Sequence, residues 1–275
     1  MQHIGVLYNP FSESSVRVSS ELTAWLQRQG REVWRGASHE GRAMPDLLDK
    51  LDLLVALGGD GTVLRAAHLA FGSGTPILAV AMGHLSFMAE LGPDELESGL
   101  RLLFDGGGWR DERALIEATL ERVGAPHQQL LALNEVVITR SALPRVVVVD
   151  TLLDNARLAT YHADGVLVAT ATGSTAYALA AGGPIVDPRS NALVLVAVAA
   201  HLTNVPSMVL HEDAQIELVL RSRHQALLAV DGRDTVPLQE GDVVRVRRSA
   251  LRCTFARVHP PGHFYASLSR RLRRE

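Results

Sequence analysis

Asp60 is the residue of this sequence best placed to do chemistry. It sits in Gly58-Gly59-Asp60-Gly61-Thr62, after the apolar run Asp52–Leu57 and before Val63, Leu64, Ala66, Ala67 and Leu69 at helical spacing. An unbroken apolar run suits a strand covered on both faces, so the unit reads as strand, glycine turn, helix. Three glycines in four positions permit positive φ and let a ligand approach the main chain. The helix start favours an anion such as phosphate. A carboxylate there repels phosphate unless it takes a metal or a hydroxyl. The alternative is a tight turn with Asp60 capping its helix, and these five residues alone do not choose.

Two further stretches carry polar groups in unusual places. From Asp164, a buried-type strand runs into Thr170, Thr172, Gly173, Ser174, Thr175 and Tyr177, followed by small residues up to Gly183. Hydroxyls at a glycine turn offer donors and acceptors to a ribose or an adenine edge, and small residues leave room for a flat ring. A polar turn leading into a tightly packed helix is the competing reading. Between the two stretches, Asn134-Glu135 opens an apolar run, and both side chains can grip vicinal hydroxyls.

The common nucleotide motifs are missing. Neither G-x-x-x-x-G-K-S/T nor G-x-G-x-x-G after a strand occurs, and Lys50 is the only lysine. Backbone amides, arginines or a metal must therefore meet a phosphate's charge.

Several elements must position these residues. Strands at 3–8, 32–34, 52–57 and 77–81 alternate with helices at 15–29, after 62 and at 94–104, which predicts an α/β layer with a mainly parallel sheet over residues 1–105. After Gly106-Gly107-Gly108 strands dominate: 113–123, 131–140, 145–153, 157–162, 165–170, 193–198, 214–220, 225–230, 242–248 and 251–258. They predict a mainly β, sandwich-like domain over 106–258, interrupted by a short helix at 178–183. Residues 259–275 read as a C-terminal tail, whose basic end, from Ser269, is expected to be solvated. His259 and His263 lack a frame for metal ligation and read as solvent or core residues.

At 275 residues, 47% apolar and a formal charge of −3, the chain has the bulk properties of a soluble globular protein and no charge argument for nucleic acid. Cys253 is the only cysteine, so neither an intramolecular disulfide nor a thiolate cluster is expected. No leader or membrane-spanning segment is evident, and a cytoplasmic location follows as the expectation. No metal site built wholly from protein ligands is visible.

GGDGT, Asn134-Glu135 and the Asp164-to-Ile185 stretch with TGSTAY and GGPI together resemble the NAD kinase family, a likeness that extends to Asn9-Pro10 and Asp231-Gly232. GGDGT alone is shared with diacylglycerol, sphingosine and phosphofructokinase relatives; TGSTAY in this order is far more specific. The resemblance implies a Rossmann-like first domain and a β-sandwich second domain. The implied reaction is phosphorylation of the 2′-hydroxyl of the adenosine ribose of NAD, from ATP or another donor such as polyphosphate, with a divalent metal such as magnesium. It implies Asp60 as the catalytic carboxylate, with Gly61 beside it and Arg65 on the dinucleotide. Asn134 and Glu135 would hold a ribose, Asp164 the nicotinamide side, and Thr175, Ala176, Tyr177, Ala178, Leu179 and Ala180 the adenine and ribose wall. Arg145 and His162 match basic contacts, although His162 replaces the Arg or Lys of many relatives. Ser86 stands where relatives carry glycine in G-x-L-G-F-L, so a different local turn is expected; Ala171 replaces a proline and Arg233 a frequent Gln. A homodimer or homotetramer is implied, with neighbouring chains completing each NAD site, and the two main motifs are expected to share one NAD molecule.

Overall fold

The structure is a computed structural model and describes residues 1–39, 48–83, 86–141, 145–201 and 205–272. They fall into two compact units, Met1–Glu112 with Cys253–Glu275, and Arg113–Arg252.

The first unit alternates β1 (His3–Tyr8), α1 (Glu13–Arg28), β2 (Glu32–Ala37), β3 (Leu53–Gly58), α2 (Asp60–Ala70), β4 (Ile77–Ala81) and α3 (Leu96–Phe104). Its strands lie parallel in the order β2-β1-β3-β4. Leu53, Val55 and Leu57 share a core with Leu22, Trp25 and Leu26 of α1 and Leu96, Leu100 and Leu103 of α3. By the two-residue period of a strand, Leu54 and Ala56 face the other way. They too are fully buried, and α2 packs on β3. This two-sided cover is why the run that opens the site carries no polar residue.

The second unit runs through β5 (Trp109–Glu121), β6 (Gln128–Ala132), β7 (Glu135–Arg140), β8 (Val147–Leu153), β9 (Ala156–Ala163), β10 (Gly165–Thr170), α4 (Tyr177–Ala180), β11 (Leu193–Val198), β12 (Met208–Leu210), β13 (Ile216–Leu220), β14 (Ala226–Val230), β15 (Asp234–Leu238) and β16 (Val243–Arg257). The chain crosses between the units within β5 and within β16. One antiparallel sheet has the order β12-β11-β10-β7-β14-β15. Strands β16, β13, β8 and β9 pair antiparallel in a second. Val136, Ile138, Val166 and Val168 of the first sheet meet Val147, Val149, Ile216 and Leu218 of the second in one core. Leu167 and Ala169 alternate with them and pack instead with Ala178 of α4.

The fold class is the expected one, an α/β first part and an antiparallel, mainly β second part. Local differences have physical causes. The expected strand 131–140 breaks between β6 and β7, because the N–H groups of residues 133–135 bond to Asp231 rather than to a ladder. The expected strands 242–248 and 251–258 are one, β16; Ser249 lies buried within it and its hydroxyl accepts from the N–H of Leu251. The short strands β12 and β15 carry too few apolar residues to show. Helix α5 (His263–Leu272) occupies most of the expected tail, while residues 273–275 lie outside the described residues, as do most of the glycine- and proline-bearing stretch before β3, His84-Leu85 and Pro144. Gly30 follows α1 with φ of 74°, as its cap role requires.

Gly173 follows β10 in a tight turn and lies on the main chain of Asn134: a Cβ built there would stand 2.1 Å from the Asn134 carbonyl oxygen. No side chain fits without moving backbone. Gly173→Ala is expected to cost about 1–3 kcal/mol or more, lowering the urea midpoint with an unchanged slope; an unaltered midpoint would refute this packing account.

Candidate active site

Asp60 is the first residue of α2, and the cap is Gly59, which has no side chain to bond the first-turn amides. The carboxylate does not cap its own helix. It bonds across to the segment after β4: Oδ1 accepts from the Ser86 hydroxyl and from the N–H of Met88 (3.2 Å), and Oδ2 accepts from the N–H of Phe87 (3.3 Å). Ser86 is buried, and its oxygen accepts in turn from the N–H groups of Met88 (3.2 Å) and Ala89 (2.9 Å).

Of the two roles read for the glycines of the turn, positive φ is absent and open approach to the main chain is kept. None of Gly58, Gly59 and Gly61 has positive φ. A Cβ at Gly58 would meet the Thr62 hydroxyl at 2.3 Å, so strand and helix approach closely there. Gly59 and Gly61 face open space instead and keep side chains off the helix start.

A cleft of about 370 Å³ opens at this turn, and its lining includes Asn9, Ser12, Ser15, Gly58, Gly59, Asp60 and Ser86. Asn9 extends β1 and donates its N–H to Leu57 (3.0 Å). Ser12 caps α1 by accepting from the N–H of Ser15 (3.3 Å). The Ser15 hydroxyl is fully buried with no partner among the described residues. Two helix starts thus border the cleft. Arg65, half-buried one turn into α2, makes no ion pair among the described residues.

The segment that holds Asp60 is anchored from below. Buried Arg257 donates to the Met88 carbonyl (3.1 Å), to Glu90 (3.2 Å) and to Asp111 (2.9 Å). Glu90 also accepts from the N–H groups of Val258 and His259 and pairs with the His259 ring, which stacks on His263. Nothing in the local pattern around Arg257 marks this role, since its partners lie more than a hundred residues away.

In the second unit, Asn134 and Glu135 are buried at the start of β7. Asp231, in the turn after β14 with φ of 48°, holds them there: its carboxylate accepts from the N–H groups of Leu133 (2.9 Å), Asn134 (2.8 Å) and Glu135 (3.1 Å). In the sequence Asp231-Gly232 stood out only as part of a family likeness. A buried carboxylate beside an Asn-Glu pair was the available signal, but the pairing is non-local. Burial first, and then the Asp231 charge, push the Glu135 carboxyl up to about 8, against an opposing hydrogen bond from the Tyr177 N–H. Its Oε2 is buried without a partner among the described residues. With its carboxyl at about 8, Glu135 is largely protonated near pH 7 and can donate as well as accept.

The hydroxyls of Thr170 and Ser174 build the turn, the second of the two readings that the sequence left open. Thr170 donates to the Leu133 carbonyl and accepts from the N–H of Gly173 (3.0 Å); Ser174 donates to the Ala171 carbonyl (2.7 Å) and accepts from the N–H of Val186 (3.0 Å). Buried Arg113 donates to the Thr172 hydroxyl (3.2 Å). Thr175, Ala176 and Leu179 are half-buried, Tyr177 and Ala180 exposed and Ala178 buried.

The remaining candidates lie at the other end of the same strands. Asp164 precedes β10 and pairs with Arg140 (3.0 Å), the last residue of β7. Glu135 and Arg140 are six residues apart inclusively, so the two ends of β7 stand roughly 17 Å apart at about 3.4 Å per residue. Exposed Arg145 bonds to the His224 ring (3.2 Å), just before β14 at this same end. His162 is half-buried on β9, its carbonyl bonded to the N–H of His201. The structure brings Asn134, Glu135 and Tyr177 together and leaves Asp164 and Arg145 a strand length away.

No group of three or more His, Cys, Asp or Glu suited to a metal occurs among the described residues. No helix among them is long and apolar enough to cross a membrane.

Comparison with known proteins accords with this geometry. Residues 38–108 match the ATP-NAD kinase N-terminal domain, and residues 133–258 match the ATP-NAD kinase C-terminal domain. An NAD kinase of Chloroflexus aurantiacus is 61% identical over 274 residues, spanning 100% of this chain and 99% of its own. One of Dehalococcoides mccartyi is 36% identical over 271 residues, spanning 98% and 95%. Among solved structures, yeast NADH kinase complexed with NADH superposes with a TM-score of 0.82 at 22% identity, covering 98% of this chain and 86% of that one. An NAD kinase from Archaeoglobus fulgidus in complex with ATP gives 0.78 at 23%, covering 98% of both. These two likenesses establish the fold, and the domain matches and full-length relatives establish more: the chain belongs to the ATP-NAD kinase family.

Proposed function

We propose that the chain is a cytoplasmic NAD kinase that moves the terminal phosphoryl group of ATP, or of polyphosphate, to the 2′-hydroxyl of the adenosine ribose of NAD. One observation carries this reading: a carboxylate fixed on three donors, at a helix start, in a cleft bordered by a second helix start. Helix starts favour phosphate, and Asp60 is unsuited to binding it directly, so its fitting partner is the acceptor hydroxyl. Donor phosphates would take the amides at Gly59 and Gly61 and the Ser12–Ser15 turn, with Arg65 as a nearby cation.

Asn134 and neutral Glu135 would hold ribose hydroxyls, with Thr175, Ala176, Tyr177, Ala178, Leu179 and Ala180 forming the wall beside them. Asp164 and Arg145 lie a strand length from that pair, which favours their serving, with His162, an NAD molecule bound mainly by a neighbouring chain. A homodimer or homotetramer follows from this assignment. Magnesium suits a cleft that takes donor phosphates, because it keeps several waters and is held largely by substrate phosphates. Bound there, it would neutralise phosphate charge.

Phosphoryl transfer usually passes through a loose transition state, in which the nucleophile needs little early activation. Asp60 then orients the 2′-hydroxyl and accepts its proton late, effects on the order of 10²–10⁴-fold.

Three outcomes test this reading. Incubation with ATP, magnesium and NAD should yield NADP, and absence of product would refute the function. Asp60→Asn should bind NAD within a few-fold of the wild type by calorimetry but lose turnover by on the order of 10²-fold or more; near-normal turnover would assign Asp60 a purely structural role. Glu135→Gln tests the neutral acid. Because the folded protein holds a proton that the unfolded chain releases near pH 4.5, the contribution of Glu135 to stability is fully present below that pH and is lost as pH rises through about 8. The glutamine variant should therefore gain on the wild type between pH 5 and pH 9, by on the order of a few kcal/mol. A constant gap in unfolding free energy would show that Glu135 is ionised throughout.

A further inference from the structure

Ser86 is buried, yet its hydroxyl bonds to the one carboxylate of the cleft that the proposed reaction uses. An ionised carboxylate has about four acceptor positions, two on each oxygen. On Asp60, Oδ1 takes two donors, the Ser86 hydroxyl and the Met88 N–H, whereas Oδ2 takes one, the Phe87 N–H. The remaining position is on Oδ2. The Ser86 oxygen is itself fixed by accepting from the N–H groups of Met88 and Ala89, so its single proton is aimed at Asp60. Neither group can turn without breaking several bonds.

We propose that Ser86 is a positioning residue for the phosphoryl transfer: its hydroxyl saturates Oδ1 of Asp60 and presents Oδ2, the oxygen left with an open acceptor position, to the 2′-hydroxyl of NAD. The inference rests on the kinase reading above. In the step it serves, the 2′-oxygen forms a bond to the terminal phosphorus of ATP and the bond from that phosphorus to the bridging oxygen breaks. The bridging oxygen keeps the electron pair and leaves with ADP, and the 2′-hydroxyl proton passes to Oδ2. Loss of the Ser86 hydroxyl leaves Asp60 with two weaker main-chain bonds and frees it to rotate about its Cβ–Cγ bond. Displacements on the order of 1 Å at a reacting group cost about 100-fold.

Steady-state kinetics of Ser86→Ala, Ser86→Thr, Asp60→Asn and the Ser86→Ala/Asp60→Asn double variant test the proposal, with product followed as accumulated NADP. Ser86→Ala should lower kcat about 10- to 100-fold, with KM for NAD and for ATP within about threefold of the wild type. Ser86→Thr, which keeps the hydroxyl, should recover kcat to within about threefold. In the Asp60→Asn background, Ser86→Ala should add little, because two residues acting as one unit are non-additive. Should Ser86→Ala fail to fold, Ser86→Cys, a far weaker donor of similar size, makes the same comparison. The proposal is overturned by an unchanged kcat in Ser86→Ala, by a rise in KM without loss of kcat, or by losses that multiply in the double variant. Near-normal turnover in Asp60→Asn would instead overturn the reading beneath it.

Discussion

The carboxylate of Asp60 turns away from its own helix and is bonded by Ser86, Phe87 and Met88, residues 26 to 28 positions further along the chain. That contact ties the glycine turn after β3 to the segment after β4, so the cleft at Asn9, Ser12 and Ser15 keeps a defined floor. The segment is in turn fixed by Arg257, whose guanidinium is shared among the Met88 carbonyl, Glu90 and Asp111. Breaking such a buried pair leaves an uncompensated charge, so this support is costly to disturb. Geometry at the Asp60 carboxylate therefore depends on residues from three distant parts of the chain.

The second unit uses the same device. Asp231 collects three main-chain N–H groups of residues 133–135 and so interrupts what would otherwise be one strand. The interruption places Asn134 and Glu135 at the mouth of β7, with Gly173 lying against the Asn134 main chain. The burial of Glu135, and then the nearby Asp231 charge, also push its carboxyl up to about 8. In both units an aspartate organises the turn that presents a polar group, and in neither does it cap the helix or strand that bears it.

Much of this was legible in the sequence. The uninterrupted apolar runs at 52–57 and 165–170 announced strands covered on both faces, and β3 and β10 are such strands. GGDGT and TGSTAY located the two turns. Their internal chemistry was less legible: the glycines of the first keep the open approach read for them but not the positive φ, and the hydroxyls of the second, for which ligand-facing and turn-building readings both stood, mostly hold the turn. A local pattern shows which polar groups are present but not which buried partner satisfies them. For the same reason Ser86 read only as a departure from a family glycine, and Arg257 and Asp231 did not read as site residues. Pairings across 26 to 169 residues leave no periodic trace.

A structure of the protein with NAD bound tests the central claim most directly. The account predicts the adenosine 2′-oxygen within hydrogen-bond reach of Asp60 Oδ2, about 2.6–3.2 Å, while Oδ1 keeps its bond to the Ser86 hydroxyl. An NAD molecule with its 2′-oxygen on another residue, or an Asp60 carboxylate turned away from the 86–88 segment, would contradict it.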